Sequence, residues 1–155
     1  MKPSIGIDKK DLSKVADILH ILLADEVLLF YKTKNFHWNV TGPHFISFHK
    51  LFDEQAEKLV ETIDEVAERI RALGEPVKAT LTHHLKKSNL KEQEKHLPAL
   101  DYVAELLSDH ETIIKFIREN LEKIDNTGDA GTTDFVTAIM EAHEKECYFL
   151  RSHLE

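Results

Sequence analysis

The chain has 155 residues, of which 42% are apolar and 31% are charged, a composition typical of one soluble globular domain. With only five glycines and four prolines it is poor in turn residues, so a helical protein is expected rather than an all-β one. The single cysteine excludes an internal disulfide and favours a reducing, cytoplasmic location. Neither a secretory leader nor a membrane span is expected, because charged residues and a histidine interrupt the most apolar segment, residues 18–31.

Charge and histidine content point to a class of ligand. The 28 acidic residues outnumber the 20 basic ones, and the net charge of −8 repels nucleic acids and attracts cations. The chain also contains ten histidines, and imidazoles together with many carboxylates form the ligand set of borderline and hard metal ions. The composition therefore hints at metal binding, whereas polyanion binding would need a local basic patch.

Apolar residues recur at helical spacing in four long segments, which are separated by residues that stop helices. The stop signals are Thr41-Gly42-Pro43 after the first segment, Gly74 and Pro76 after the second, and the loop of residues 125–131 before the last. The pattern predicts helices at about 8–39, 43–73, 98–125 and 132–154. Thr132 or Thr133 is expected to cap the last of these helices.

The connection between the second and third predicted helices, residues 74–97, is longer than the other two. It is polar and irregular, with one or two helical turns predicted at residues 80–85. Four helices joined in this way form an up-down-down-up bundle. The expected fold is therefore all-α: a single ferritin-like four-helix bundle over residues 1–155, with one long crossover that contains a short helix.

The usual iron motif of such bundles is missing. Di-iron carboxylate bundles carry Glu-x-x-His on two helices, because residues three apart project from one helix face toward the metals. The second and fourth predicted helices contain no glutamate followed three residues later by histidine. An iron site inside a single bundle therefore lacks its ligands.

The second predicted helix carries a different set of ligands, in two i, i+4 pairs. The pairs are His49 with Asp53 and Asp64 with Glu68. At about 100° per residue, all four side chains fall within roughly 100° of each other on one flank. His49 and Asp64 are nevertheless about 22 Å apart along the helix axis, whereas ligand atoms lie about 2–2.5 Å from a metal. Two antiparallel copies of this helix about a twofold axis would join the pairs twice, so the spacing predicts a site shared between subunits.

These residues also have ordinary interpretations. Asp64 and Glu68 are typical of a solvated helix face. A metal-free helical adaptor would explain them as well, but it would make the spacing of the whole set a coincidence. His110 and His143 fall on predicted core faces, where a buried, hydrogen-bonded histidine is more common than a metal ligand.

The remaining histidines and the cysteine carry weaker signals. His83, His84 and His96 lie in polar connections, where exposed side chains are expected. Cys147 follows His143 by four residues and could bind a soft metal, but two ligands do not make a site.

Residues 37–69 contain a specific motif. It runs His37-Trp38-Asn39-Val40-Thr41-Gly42-Pro43, has a second histidine twelve positions after the first, and ends with the aspartates and the glutamate of the second predicted helix. The motif resembles the signature of the Dps family, the DNA-binding proteins from starved cells, also called mini-ferritins. The likeness covers nearly the whole chain, including the short crossover helix and the turn at residues 128–132.

The resemblance implies a hollow shell of twelve subunits with ferroxidase sites at its twofold interfaces. In the family, the positions that match His37, His49 and Asp53 come from one subunit, and those that match Asp64 and Glu68 come from its partner. This division agrees with the helix spacing. The sites would bind iron, with two metal positions possible, and would oxidise Fe(II) with hydrogen peroxide, the oxidant typically preferred in the family, or with oxygen.

The resemblance also implies roles around the site. Trp38 would lie against the metals as a packing group and a possible electron donor, with simple burial as an equal alternative. Asp125, Asp129 and Asp134 resemble the carboxylates that line the family's threefold pores, where a ring of charge would concentrate cations. A turn position for Asp129 and a helix N-terminus for Asp134 explain these two residues equally well.

DNA binding is doubtful despite the family's name. Members that bind DNA usually carry a mobile, lysine-rich terminal tail. Here only Lys2 clearly precedes the first predicted helix, and the net charge is −8. Two functions from different classes remain, a ferroxidase with iron storage and a DNA-binding, nucleoid-compacting shell with secondary iron chemistry, and the charge favours the first.

Overall fold

The computed structural model describes residues 3–155, and this part of the chain folds into five α-helices without a β-strand. Their bounds are α1 Lys9–Asn39, α2 Phe45–Ala72, α3 Leu81–Lys87, α4 Ala99–Asp125 and α5 Ala130–Ser152. The all-α fold class is thus confirmed. Lys2 lies outside the described residues. No helix within residues 3–155 is long and apolar enough to cross a membrane.

The core forms between two helical hairpins. α1 packs along α2, α4 packs along α5, and the short α3 lies against α1. The apolar stripe of each long helix is buried inward, so that Leu29, Phe52 and Leu150, from three different helices, have no exposed surface. Phe36 of α1 stacks on Tyr102 of α4, with ring centroids 4.1 Å apart. The hairpins are therefore joined by close aromatic and aliphatic packing.

The α5 helix begins at Ala130, two residues before the predicted start, and its cap differs from the predicted one. Asp129, rather than Thr132 or Thr133, is the N-cap. Its Oδ1 accepts from the Thr132 backbone N–H at 3.0 Å and from Arg69 Nη2 at 2.7 Å, while Oδ2 accepts from the Thr132 hydroxyl at 2.6 Å. The buried carboxylate satisfies a free N–H of the first turn and ties the start of α5 to α2.

The α2 helix begins at Phe45, two residues after the predicted start. Gly42 adopts φ 107°, a value that side chains rarely allow, and its carbonyl accepts from the Phe45 N–H at 3.0 Å. Pro43 therefore belongs to the turn between α1 and α2, and this tight turn brings the end of α1 beside the start of α2.

The α3 helix changes the environment of the crossover histidines. Thr80 caps it by accepting from the His83 N–H at 3.2 Å, and the helix folds back against α1. As a result His84 is buried and His83 is half-buried, so the prediction that both are exposed is wrong. His96 is exposed, as predicted. A helix of about two turns buries its inner side chains only through such tertiary contacts, which its polar sequence does not reveal.

A chain of buried polar side chains crosses the bundle core. His143 Nε2 donates to Glu26 Oε1 at 2.8 Å, and one hydrogen bond of 2.7 Å joins the Nδ1 atoms of His143 and His110. Two atoms at the ends of this row of side chains, Glu26 Oε2 and His110 Nε2, have no hydrogen-bond partner among residues 3–155. Burial, reinforced by the neighbouring His143, holds the pKa of His110 well below its ordinary value. The prediction that both histidines belong to the core is confirmed.

The cysteine Cys147 is also buried, on α5. Burial is the main reason that the pKa of its thiol is raised to about 11, and the nearby Glu111 adds to the effect. The thiol is therefore protonated at neutral pH.

Candidate metal centre

Two histidines face each other across the turn between α1 and α2. His37 Nδ1 donates to the His49 carbonyl at 2.7 Å, His49 Nδ1 donates to the His37 carbonyl at 2.9 Å, and the rings stack with centroids 3.8 Å apart. Because a carbonyl oxygen can only accept, each Nδ1 must carry the hydrogen. In the neutral rings, both Nε2 atoms then keep the lone pair that a metal needs, and the backbone fixes the orientation of the rings.

Asp53 is the third candidate ligand, one turn after His49 on α2. Its Oδ1 lies 3.7 Å from His37 Nε2 and accepts from Lys34 Nζ at 2.7 Å. The hydrogen bond from Lys34 is the main cause that lowers the pKa of Asp53, and the neighbouring His37 and His49 act in the same direction. Asp53 is therefore an ionised carboxylate beside two imidazoles.

Asp64 and Glu68 lie apart from this cluster. Both are exposed side chains further along α2, and Asp64 follows Asp53 by eleven positions, or about 16 Å along the helix axis. In the described part of the chain, no three histidine, cysteine, aspartate or glutamate side chains are grouped so that they could hold a metal ion. A single subunit thus presents two separate partial sets of ligands.

Trp38, next to His37, is 66% exposed, and its ring centroid lies 5.7 Å from Lys34 Nζ. Simple burial within its own subunit therefore does not account for this tryptophan. A large apolar ring exposed beside candidate ligands favours contact with another chain.

The three aspartates of the predicted pore occupy different environments. Asp129 is buried, and both of its oxygens are bonded within the subunit, so its local role is to cap α5. Asp125, the last residue of α4, and Asp134, in the first turns of α5, are exposed. The pore prediction therefore depends on Asp125 and Asp134.

Sequence reasoning missed Lys34, although a signal was present. Lys34 precedes His37 by three positions and therefore projects from the same side of α1. Sequence reasoning also missed the polar bridge between α2 and α5, in which Gln55 Nε2 and Lys58 Nζ donate to Glu146 at 2.9 Å and 2.7 Å.

Sequence comparisons agree with this architecture. A family description of the ferritin-like domain matches residues 16–155. The chain is 41% identical over 154 residues to an uncharacterized low temperature-induced protein of a Nostoc strain, covering 98% of this chain and 86% of that protein. It is 33% identical over 141 residues to DNA protection during starvation protein 2 of Bacillus anthracis, covering 91% of this chain and 97% of the relative.

Solved structures give the same result. The Dps protein of Vibrio cholerae O1, described as a member of a broad superfamily of ferritin-like diiron-carboxylate proteins, matches with a TM-score of 0.94 and 28% identity, covering 99% of this chain and 97% of that one. Dps of Mycobacterium smegmatis matches with a TM-score of 0.94 and 32% identity, covering 100% and 95%. The chain therefore belongs to the Dps family of ferritin-like proteins, whose diiron-carboxylate character supports a general role in iron storage.

Proposed function

We propose that the protein is a ferroxidase, which oxidises Fe(II) at sites shared between two subunits and stores the ferric product inside a hollow shell of twelve subunits. The observation that carries the proposal is the division of the five candidate ligands. His37, His49 and Asp53 cluster at one end of α2, while Asp64 and Glu68 lie exposed further along the same helix. An antiparallel partner about a twofold axis would complete two such sites.

Exposed apolar side chains beside the histidines support a second copy of the chain as the partner. Tyr31 is 55% and Trp38 66% exposed on α1, and Leu81 is 61% exposed on α3. With Leu85 they line a groove of about 400 Å³ between these helices. Apolar patches of this kind mark association surfaces, and a twofold partner here would cover them next to His37.

The residue types suit iron as the substrate. Carboxylate oxygens bind ferrous ions and stabilise the ferric state more strongly, while the two fixed imidazoles add neutral nitrogen ligands. Two ferrous ions can give up one electron each, and with two protons these electrons reduce one hydrogen peroxide to two waters. Hydroxyl radical is then not released. We expect oxidation to be faster with peroxide than with oxygen.

Mixing two damaged variants tests the shared site. His37→Ala/His49→Ala and Asp64→Ala/Glu68→Ala should each be inactive alone, and co-assembly should restore activity. In a mixed dimer one of the two sites at the interface receives all five ligands and the other site receives both sets of damage, so recovery should not exceed about half of the wild-type rate. The rate of Fe(II) oxidation is measured in shells that are verified to contain both chains.

Glu119→Ala/Glu122→Ala is the matched control, because it removes two exposed carboxylates from α4. This variant should keep the wild-type rate. Mixed shells that stay as inactive as the single variants would rule out ligands from two chains. Wild-type protein that oxidises Fe(II) no faster than buffer would rule out the ferroxidase itself.

A further inference from the structure

Three histidines come together where the crossover folds back on α1. His20 belongs to α1, while His83 and His84 follow each other on α3. The ring centroids lie 6.2 Å apart from His20 to His83, and again 6.2 Å apart from His83 to His84. None of these side chains belongs to the candidate metal centre at the turn between α1 and α2. The subunit therefore contains a second group of imidazoles.

His20 holds the crossover in place and has no ring nitrogen left for a ligand. Its Nδ1 donates to the Ala16 carbonyl at 2.7 Å, and its Nε2 contacts the backbone of Pro76 and Lys78 at 3.2 and 3.3 Å. These contacts tie the segment before α3 to α1.

His83 and His84, in contrast, each keep a buried nitrogen without a partner. Neither His83 Nε2 nor His84 Nδ1 has a hydrogen-bond partner among residues 3–155. Burial is the main reason that the pKa of both side chains is lowered, and the neighbouring histidines act in the same direction, so both rings are neutral at pH 7. A neutral imidazole offers the lone pair of one nitrogen to a metal ion.

The surroundings of this pair decide which ion it suits. A divalent ion such as Zn²⁺ takes about four ligands, and in the described part of the chain no three histidine, cysteine, aspartate or glutamate side chains are grouped to supply them. The positive charges of Lys78 and Lys87 also act on His83 and favour an ion of low charge. Cu(I) is monovalent and soft, and two imidazoles in line with it complete its coordination.

We propose that His83 and His84 bind one Cu(I) ion between their unpartnered nitrogens. An imidazole nitrogen lies about 2 Å from a bound metal ion, which puts the ion about 3 Å from the centre of the ring. Two rings in line with the ion then have their centres about 6 Å apart, whereas a tetrahedral pair would be about 5 Å apart. The observed 6.2 Å between His83 and His84 is the separation of a linear pair.

The groove between α1 and α3 would shield the bound ion. His84 lines this groove together with the apolar side chains of Tyr31, Leu81 and Leu85. An apolar shell limits the access of water to a metal and disfavours the more highly charged Cu(II) state. The site lies within one subunit, so the inference does not depend on the proposed ferroxidase.

The test titrates the assembled protein with Cu(I), kept reduced by ascorbate without oxygen, in competition with the chelator bathocuproine disulfonate. We expect a tightly bound ion in each subunit. His83→Gln and His84→Gln should each weaken its binding by about a hundredfold or more, because even a change outside the ligand set of a metal costs about 10–100-fold. His96→Gln removes an exposed histidine from the same crossover and should match the wild type.

Two further variants exclude other ligands. Cys147→Ser and His37→Ala/His49→Ala should both keep one Cu(I) ion per subunit, because they leave α3 unchanged. X-ray absorption at the copper edge, measured on His37→Ala/His49→Ala, should show two nitrogen ligands and no sulfur. His83→Gln should oxidise Fe(II) at the wild-type rate.

The proposal is overturned by a wild type that takes no Cu(I) from the chelator, by affinities that stay unchanged in His83→Gln and His84→Gln, or by sulfur in the copper spectrum. Thermal unfolding checks that both variants are folded. If neither folds, the copper spectrum decides, since it needs no change in α3.

Discussion

Replacing His143 with leucine should destabilise the subunit strongly, because it strands a carboxylate in the core. Glu26 is fully buried, and among the described residues His143 is the hydrogen-bond partner of its carboxylate. Removal of one member of a buried hydrogen-bonded pair costs about 3–5 kcal/mol where the group left behind is charged. The same substitution leaves His110 Nδ1 unbonded, which adds about 1 kcal/mol. For a chain of this size, a loss of about 4 kcal/mol lowers Tm by about 8–16 °C.

A triple variant separates this mechanism from simple loss of packing. The variant Glu26→Leu/His110→Leu/His143→Leu removes all three of the hydrogen-bonded polar side chains that cross the core. Its stability should therefore return to within about 2 kcal/mol of the wild type. Thermal unfolding followed by circular dichroism measures both variants, at one protein concentration because assembly contributes to Tm. The exposed His96→Leu serves as the control. A loss below about 1 kcal/mol for His143→Leu, or a triple variant as unstable as the single one, would refute the reasoning.

Four further outcomes are expected. Burial holds the pKa of His110 well below its ordinary value in the folded protein, so unfolding takes up a proton below about pH 6.5 and stability is lost as the pH falls. Tm of His110→Leu should therefore depend less on pH than Tm of the wild type between about pH 7 and pH 5. Asp129→Ala should cost about 2–4 kcal/mol in unfolding experiments, since it removes a helix cap and the partner of Arg69. Asp125→Asn and Asp134→Asn should change stability by less than about 0.5 kcal/mol yet slow iron uptake in stopped-flow traces, and unchanged uptake would contradict the pore. In gel-shift assays at physiological salt and neutral pH the protein should not retain DNA, because its net charge is −8, and a shift that survives added salt would show otherwise.

Hydrophobic spacing was sufficient to predict the four long helices, because burial of one face dominates helix formation in a bundle. The differences of up to two residues at the helix ends come from contacts that spacing does not contain. Asp129 caps α5 in place of either threonine because Arg69, distant in sequence, bonds to it. His84 is buried because α3 folds back on α1, and the polar sequence of this short helix does not predict the contact.

The candidate site shows the same limit. The i, i+4 pairs on α2 indicated that the ligands could not meet within one chain, because helix geometry alone sets their separation. The exchange of hydrogen bonds between His37 and His49 could not be predicted, since it depends on the tight turn at Gly42. The bond from Lys34 to Asp53 joins two helices and needed the packing of α1 against α2 to be known.

The buried position of Cys147 protects its thiol from oxidation by peroxide. A thiol with a pKa of about 11 is present as thiolate in about one molecule in ten thousand at neutral pH, and the thiolate is the form that attacks peroxide. The sulfur of this chain is therefore a poor competitor for oxidant. Sulfenic acid would form slowly at this sulfur, disulfide cross-links between copies of the chain would not follow, and the cysteine would not depend on a cellular reductant to repair it.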